Sequence, residues 1–206
     1  MAVPDALSRC LAYMGFMTHP TDASGFDRRT VLTTAAGGLA VGLAGCMGGD
    51  SADRPAAVAL DEGQTCDQCG MVIQEHPGPT GQVFFEDHLA DRDGPAWFCS
   101  GTCTYTYRSD RVAEDATPIV TYLTDYSNVD YSVDDQPAIT AHLAAEDYAV
   151  ESALSVVAGS EVIGAMGPDL IPFSDGADAD AFAEEYGGEV LPASDVDREL
   201  VDSIKS

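Results

Sequence analysis

The sequence predicts an α+β fold made of tandem ββαβ repeats with weak internal duplication. Short β-prone runs such as Gln82-Val83-Phe84-Phe85 and Pro118-Ile119-Val120-Thr121-Tyr122-Leu123-Thr124 lie between clusters of Gly and Pro. Apolar residues at helical spacing, Ala177, Ala181, Phe182 and Tyr186, mark a helix over Asp175–Tyr186. The order strand, strand, Phe, Ser, helix, strand occurs twice. Trp97-Phe98-Cys99-Ser100 and Ile171-Pro172-Phe173-Ser174 hold the same place in it.

Taken in order, residues 1–45 read as an export signal. The Arg28-Arg29 pair precedes a short run of small apolar residues that closes on Leu43-Ala44-Gly45-Cys46. This resembles a twin-arginine signal ending in a lipobox, and the run from Val31 to Gly45 is too short to span a bilayer comfortably. It predicts export in the folded state, lipidation of Cys46, and a place on the extracytoplasmic face of the cell membrane. Met17 is an alternative start, and Cys10 lies in the leader, outside the mature site. Residues 46–63 are rich in Gly, Ser, Ala, Asp and Pro and predict a flexible tether, with the ordered part beginning near Gln64.

The chain of 206 residues carries 35 acidic and 9 basic side chains, a formal net charge of −26. Three basic and three acidic residues fall in the leader, so the whole excess lies on the mature part, where Lys205 is the single lysine. Such a surface repels itself at ordinary ionic strength. Molar salt, with a Debye length of about 3 Å, screens it, so the composition points to a halophilic source. It excludes nucleic acid as a partner.

The first half spans 64–126. Gly70–Glu75 and Gly81–Asp87 read as two strands joined by the turn His76-Pro77-Gly78-Pro79-Thr80-Gly81. An acidic loop leads to Ala96-Trp97-Phe98-Cys99. Ser100 is a good N-cap for a short helix carrying Cys103, Tyr105 and Tyr107, and Thr117–Tyr126 is a strand. The second half spans 127–206. A polar loop is followed by a short helix over Ala138–Glu146, strands over Tyr148–Ala158 and Ser160–Met166, and a break at Gly167-Pro168-Asp169. The helix Asp175–Tyr186 ends at Gly187-Gly188, Glu189–Pro192 is a last strand, and Asp195–Ile204 a closing helix.

The chemistry concentrates in Cys66-Asp67-Gln68-Cys69-Gly70-Met71. With Cys99 and Cys103 the pattern is C-x2-C-x29-C-x3-C. Two close pairs one hairpin apart suit a tetrahedral Zn(II) site. A Cys69–Cys99 disulfide is also open outside the cytoplasm. Thioether donors favour Cu(I) instead, which accepts thiolate and thioether together. Met71 follows Cys69 by two and would share its face on a strand. Met166, flanked by glycines in Gly164-Ala165-Met166-Gly167, is poorly placed for a core and well placed for a donor. His76, nearest the motif, is the first histidine candidate, ahead of His88 and His142. No nucleophile elbow, zinc-protease helix, phosphate loop or dinucleotide turn is present, so the chain reads as a carrier and not as an enzyme.

The run Cys66-x-x-Cys69-Gly70-Met71-Val-Ile, His76-Pro-Gly-Pro-x-Gly-Gln82 and Phe98-Cys99-Ser100 resembles the NosL family. So does Gly164-Ala-Met-Gly-Pro with Pro172-Phe-Ser and Phe182-Ala-x-x-Tyr-Gly-Gly-Glu-Val. The resemblance covers about Gln64 to Val196. It implies ββαβ repeats and Cu(I) binding, with delivery of copper to the nitrous oxide reductase apo-enzyme and its maturation proteins during denitrification. It also implies Cys69 and Met71 as Cu(I) ligands, with Cys66 beside them and Met166 assisting in capture or transfer. Cys103 departs from the family's pattern. Cys99-Ser100-x-x-Cys103 looks more like metal-handling TRASH-type domains. Two rival readings stand beside the Cu(I) chaperone: a structural-zinc assembly scaffold, and a thiol–disulfide reductase using Cys66 and Cys69.

Overall fold

Gly81–Phe85 (β1) is buried along its whole length and forms the spine of the first sheet. The computed structural model describes residues 54–206 except His88, Ala90 and Asp91. The arginine pair, Cys46 and Cys10 lie outside the described residues, as does His88. Ala96–Phe98 (β2) and Pro118–Thr124 (β3) flank β1 antiparallel, and Tyr148–Val150 (β4) pairs with the far end of β3. Between β2 and β3 runs the helix Gly101–Ala113 (α1). The second sheet centres on Ser155–Gly164 (β5), with Gly167–Phe173 (β6) on one side and Glu189–Pro192 (β7) on the other. Gly176–Tyr186 (α2) joins β6 to β7, and Arg198–Ile204 (α3) closes the chain.

The sheets share one plan. The first reads β2-β1-β3 before β4 adds at its edge, and the second reads β6-β5-β7. In both, the first strand of the unit lies in the middle, antiparallel to its neighbours. The fold is α+β, and Phe98 and Phe173 end equivalent strands, each wholly buried. The units are fused by a common core. Tyr105 of α1 and Leu123 of β3 pack with Val156 and Ala158 of β5, Leu170 of β6 and Val201 of α3.

Four local expectations give way to tertiary demands. Gly70–Glu75 is not a strand: Val72 alone bridges to Thr65, and Ile73–Glu75 is a single 3-10 turn. The turn plugs fully buried Ile73 into the first core. Ala138–Glu146 is not a helix. Ala138 bridges in parallel to Ile163 of β5, and Ile139 is buried against Val157, Ile171 and Phe173. The run Tyr148–Ala158 is cut by a 3-10 turn at Glu151–Ala153, because β4 belongs to one sheet and β5 to the other. The break expected at Gly167-Pro168-Asp169 falls earlier. Gly164 pairs with Gly167 around Ala165-Met166, and Gly167 takes a positive φ of 91°, a region open to glycine at little cost.

The chain also packs sooner than Gln64. Val58 N–H donates to the Gln82 side chain and Val58 C=O accepts from it, at 3.0 and 2.6 Å. Leu60 is buried and its N–H donates to Leu143 C=O. Thus 55–60 is a docked strap over the first core. Among the described residues no helix is long and apolar enough to cross a membrane.

Candidate metal centre

Cys66 and Cys69 lie on a tight turn closed by local hydrogen bonds. Gly70 N–H donates to Cys66 C=O and Cys66 N–H to Met71 C=O, both at 2.8 Å. The turn needs Gly70 at a φ of +77°, which a side chain would strain. Cys99 follows the last residue of β2. Ser100, extended, accepts the Cys103 N–H on its Oγ at 2.9 Å and caps α1 as its sequence foretold. That cap sets Cys103 in the first helical turn, one turn from Cys99.

The four sulfurs converge, all within 4.8 Å of one another. Cys69 Sγ is 3.5 Å from Cys99 Sγ, and Cys99 Sγ is 4.0 Å from Cys103 Sγ. All four cysteines are free thiols. Cys66, Cys99 and Cys103 are 2%, 0% and 3% exposed, whereas Cys69 reaches the surface. An ion with metal–sulfur bonds of about 2.3 Å in a tetrahedron needs sulfurs about 3.8 Å apart. The donor set therefore fits one soft ion.

The protons are shared unequally. The Cys103 and Cys99 thiols both donate to Cys66, with help from the backbone N–H groups of Cys99 and Cys69. These bonds outweigh burial and hold Cys66 far below the ordinary thiol range. Cys99 is pushed far above it by its bonds to Cys103 and Cys66, and by burial. Cys103 is raised too, chiefly through Cys66. Of the four sulfurs, Cys66 is therefore the one the centre most favours as thiolate.

Met71 is half-buried against the apolar cluster that contains Cys66, Cys99 and Cys103. It does not share a strand face with Cys69, because no strand forms there. Met166 is 46% exposed at the β5–β6 tip, and its neighbour Ala165 packs against that same cluster. His76 caps the 3-10 turn and stands outside the group of converging ligand atoms, as does His142, which faces Tyr126 and Thr140. The cluster thus joins the four cysteines and leaves His76 and His142 outside it.

Sequence reasoning missed Asp169. It is wholly buried at the start of α1, where its Oδ1 accepts from Thr102 N–H at 2.7 Å and Leu170 N–H at 2.9 Å. Its Oδ2 has no partner in the protein. Burial raises its carboxyl to about 7, against the opposing pull of those N–H groups. Asp169 ties the hairpin bearing Met166 to the helix bearing Cys103. Its position directly after Gly167-Pro168 was the available signal, masked by the many surface acids.

Fold and site together define an α+β module with a preassembled thiol centre whose geometry fits a soft metal ion. The NosL family profile matches residues 57–201, and the chain belongs to the NosL family. It is 31% identical over 172 residues to the copper-binding lipoprotein NosL of Stutzerimonas stutzeri, covering 82% of this chain and 80% of that protein. To the copper-binding lipoprotein NosL of Achromobacter cycloclastes it is 33% identical over 134 residues, covering 65% of this chain and 63% of that protein. The crystal structure of the copper chaperone NosL from Shewanella denitrificans superposes with a TM-score of 0.56 at 26% identity, over 69% of this chain and 96% of that one. The names of these relatives are those of copper-binding proteins and of a chaperone, not of enzymes.

Proposed function

We propose that this protein is a Cu(I) carrier that delivers copper for the maturation of nitrous oxide reductase. The observation that carries the reading is the convergence of four free sulfurs, three buried and one exposed, in a member of the NosL family. Copper is cargo here. Each Cu–S bond formed at Cys99 or Cys103 releases the thiol proton to solvent, while Cys66, held well below the ordinary thiol range, gives up its proton most readily. Cys69 lies where an incoming ligand meets the ion first. Exchange through Cys69, with Met71 and Met166 as neutral thioether donors at the margin, moves the ion without setting it free. Lipidation at Cys46 after twin-arginine export holds the carrier on the extracytoplasmic membrane face, where the apo-reductase and its maturation proteins are the partners.

The test is anaerobic titration of the reduced mature chain in molar KCl with Cu(I) against a competing chelator, followed by transfer to apo-reductase. Loss of tight Cu(I) binding in Cys69→Ala and Met71→Ala is expected. Unchanged affinity in both would sink the assignment of those donors, and failure to load the reductase would sink the client. Mass spectrometry of the membrane-extracted protein should find lipid on Cys46.

A second reading, a structural Zn(II) centre in an assembly scaffold, is favoured by the four-sulfur convergence itself, since a tetrathiolate suits Zn(II). Unfolding on zinc chelation, with Cu(I) failing to displace zinc, would support it. Insulin reduction lost in Cys69→Ser would instead support a thiol–disulfide reductase.

A further inference from the structure

The two cysteine pairs come from segments remote in sequence, and besides the sulfur contacts themselves one polar side chain ties their backbones together. Asp67 lies between Cys66 and Cys69. Its N–H donates to Trp97 C=O at 3.0 Å, and its Oδ2 accepts from Trp97 N–H at 2.8 Å. Trp97 sits in β2, two residues before Cys99, with its other neighbour β1 paired at Gln82. Asp67 therefore occupies the free edge of β2. The same Oδ2 accepts from the Arg92 guanidinium. Arg92 is itself fixed twice, by bonds from Nε and an Nη to Pro95 C=O at 3.3 Å and by stacking over the Trp97 ring at 4.0 Å. Asp67 and Arg92 are about one-fifth exposed, so solvent competes only in part for this pair.

The geometry points to Asp67 as a positioning residue for the metal centre, with Arg92 and Trp97 completing a latch that sets the Cys66–Cys69 turn against the Cys99–Cys103 segment. The physical reason is leverage. Asp67 is one residue from Cys66 and Trp97 two from Cys99, so a shift at their bond moves sulfurs on both sides. The backbone bonds within the turn, the Thr65–Val72 bridge and Gly70 N–H to Cys66 C=O, are local and do not relate the pairs. A charge-assisted bond held by a stacked guanidinium is stiffer than a neutral one. Partners that orient ligands in this way typically matter 10- to 100-fold in metal affinity. The inference rests on the four-sulfur centre as the metal seat, but not on the identity of the metal.

The test uses the mature chain in molar KCl, with Cu(I) and Co(II) as separate probes. Cu(I) affinity and release rate are read by competition with a bidentate chelator, and the Co(II) visible spectrum reports tetrahedral thiolate coordination. Trp97, the chain's single tryptophan, reports the latch by its emission. In Asp67→Ala the expected result is a Cu(I) affinity roughly 10- to 100-fold lower, with faster release and a Co(II) spectrum that loses tetrahedral intensity at saturation. Asp67→Asn, which keeps an acceptor for Trp97 N–H, and Arg92→Lys, which keeps the charge, should fall between. Asp110→Asn, which breaks the exposed ion pair with Arg198, should match wild type. Should Asp67→Ala fail to fold, Asp67→Asn and Arg92→Gln carry the test. Wild-type affinity, release rate and Co(II) spectrum in variants whose Trp97 emission has shifted would overturn the latch while leaving the copper reading intact. Conversely, wild-type protein that gives the Co(II) spectrum but binds no Cu(I) would sink the copper reading, and the Co(II) arm would still decide the latch.

Discussion

Cys69 is the exposed member of the four sulfurs, which in the proposed reading makes it the point of exchange. Alkylation of the reduced metal-free protein should modify Cys69 first, as peptide mass spectrometry would show. Equal labelling of Cys66, Cys99 and Cys103 would mean that the centre opens in solution. Its protons make a second prediction. Cys99, chiefly by its bond to Cys103, and Cys103, chiefly by its bond to Cys66, are held above the ordinary thiol range, and burial raises both. A metal ion must displace those protons, so apparent Cu(I) affinity should rise with pH, roughly tenfold per unit for each proton displaced. Competition titrations at two pH values check the slope, and a flat profile would show that neither thiol ligates. At this scale the Cys66-x-x-Cys69 motif and Cys99 with Cys103 were legible as two pairs that converge. The roles of the methionines were not, because Met71 depends on a local backbone that became a turn.

At the scale of elements, α1 presents Cys103 through its N-cap. Ser100→Ala leaves the Cys103 N–H without its acceptor and should cost about 1 kcal/mol of stability, read from the denaturant midpoint. No change would mean that Asp169 alone caps the helix. Asp169 makes a separate prediction. Its folded-state carboxyl titrates near 7 against a normal value of 3.8, so the fold favours the protonated form. No penalty exists below the unfolded value. It grows as pH rises from about 4 to about 7, reaching on the order of 4 kcal/mol. Asp169→Asn cannot ionise. The stability difference between variant and wild type should move in the variant's favour across that window, as melts at pH 4.5 and 7.5 would show. A constant difference would place the charge elsewhere. Strands β1, β3 and β7 and helices α1 and α2 were legible, since their apolar patterns and caps agree with their packing. The segments 70–75 and 138–146 were not, because single buried residues, Ile73 and Ile139, override local propensity there.

For the whole molecule, a net charge of −26 makes compaction depend on screening. The melting temperature should climb steeply as KCl rises from millimolar to molar. The same dependence in a neutral co-solvent of equal osmolality would argue against a charge effect. The core shared by the two units makes them one cooperative body, so unfolding followed at Trp97 in the first sheet and by far-UV ellipticity should coincide.

The sequence by itself determined the fold class, the pairing of Cys66 with Cys69 and of Cys99 with Cys103, and the N-cap that presents Cys103. Those features are written in local patterns that the tertiary structure has no cause to override. Only the tertiary structure decided that the sulfurs share one centre, with Cys66 the most acidic of them and Cys69 exposed. It alone showed the strap 55–60 locked to Gln82 and the ties of Asp67 and Asp169 across segments. The physical reason is that convergence, burial and proton sharing are properties of residues brought together from distant positions. Periodicity and spacing along the chain carry no record of that distance.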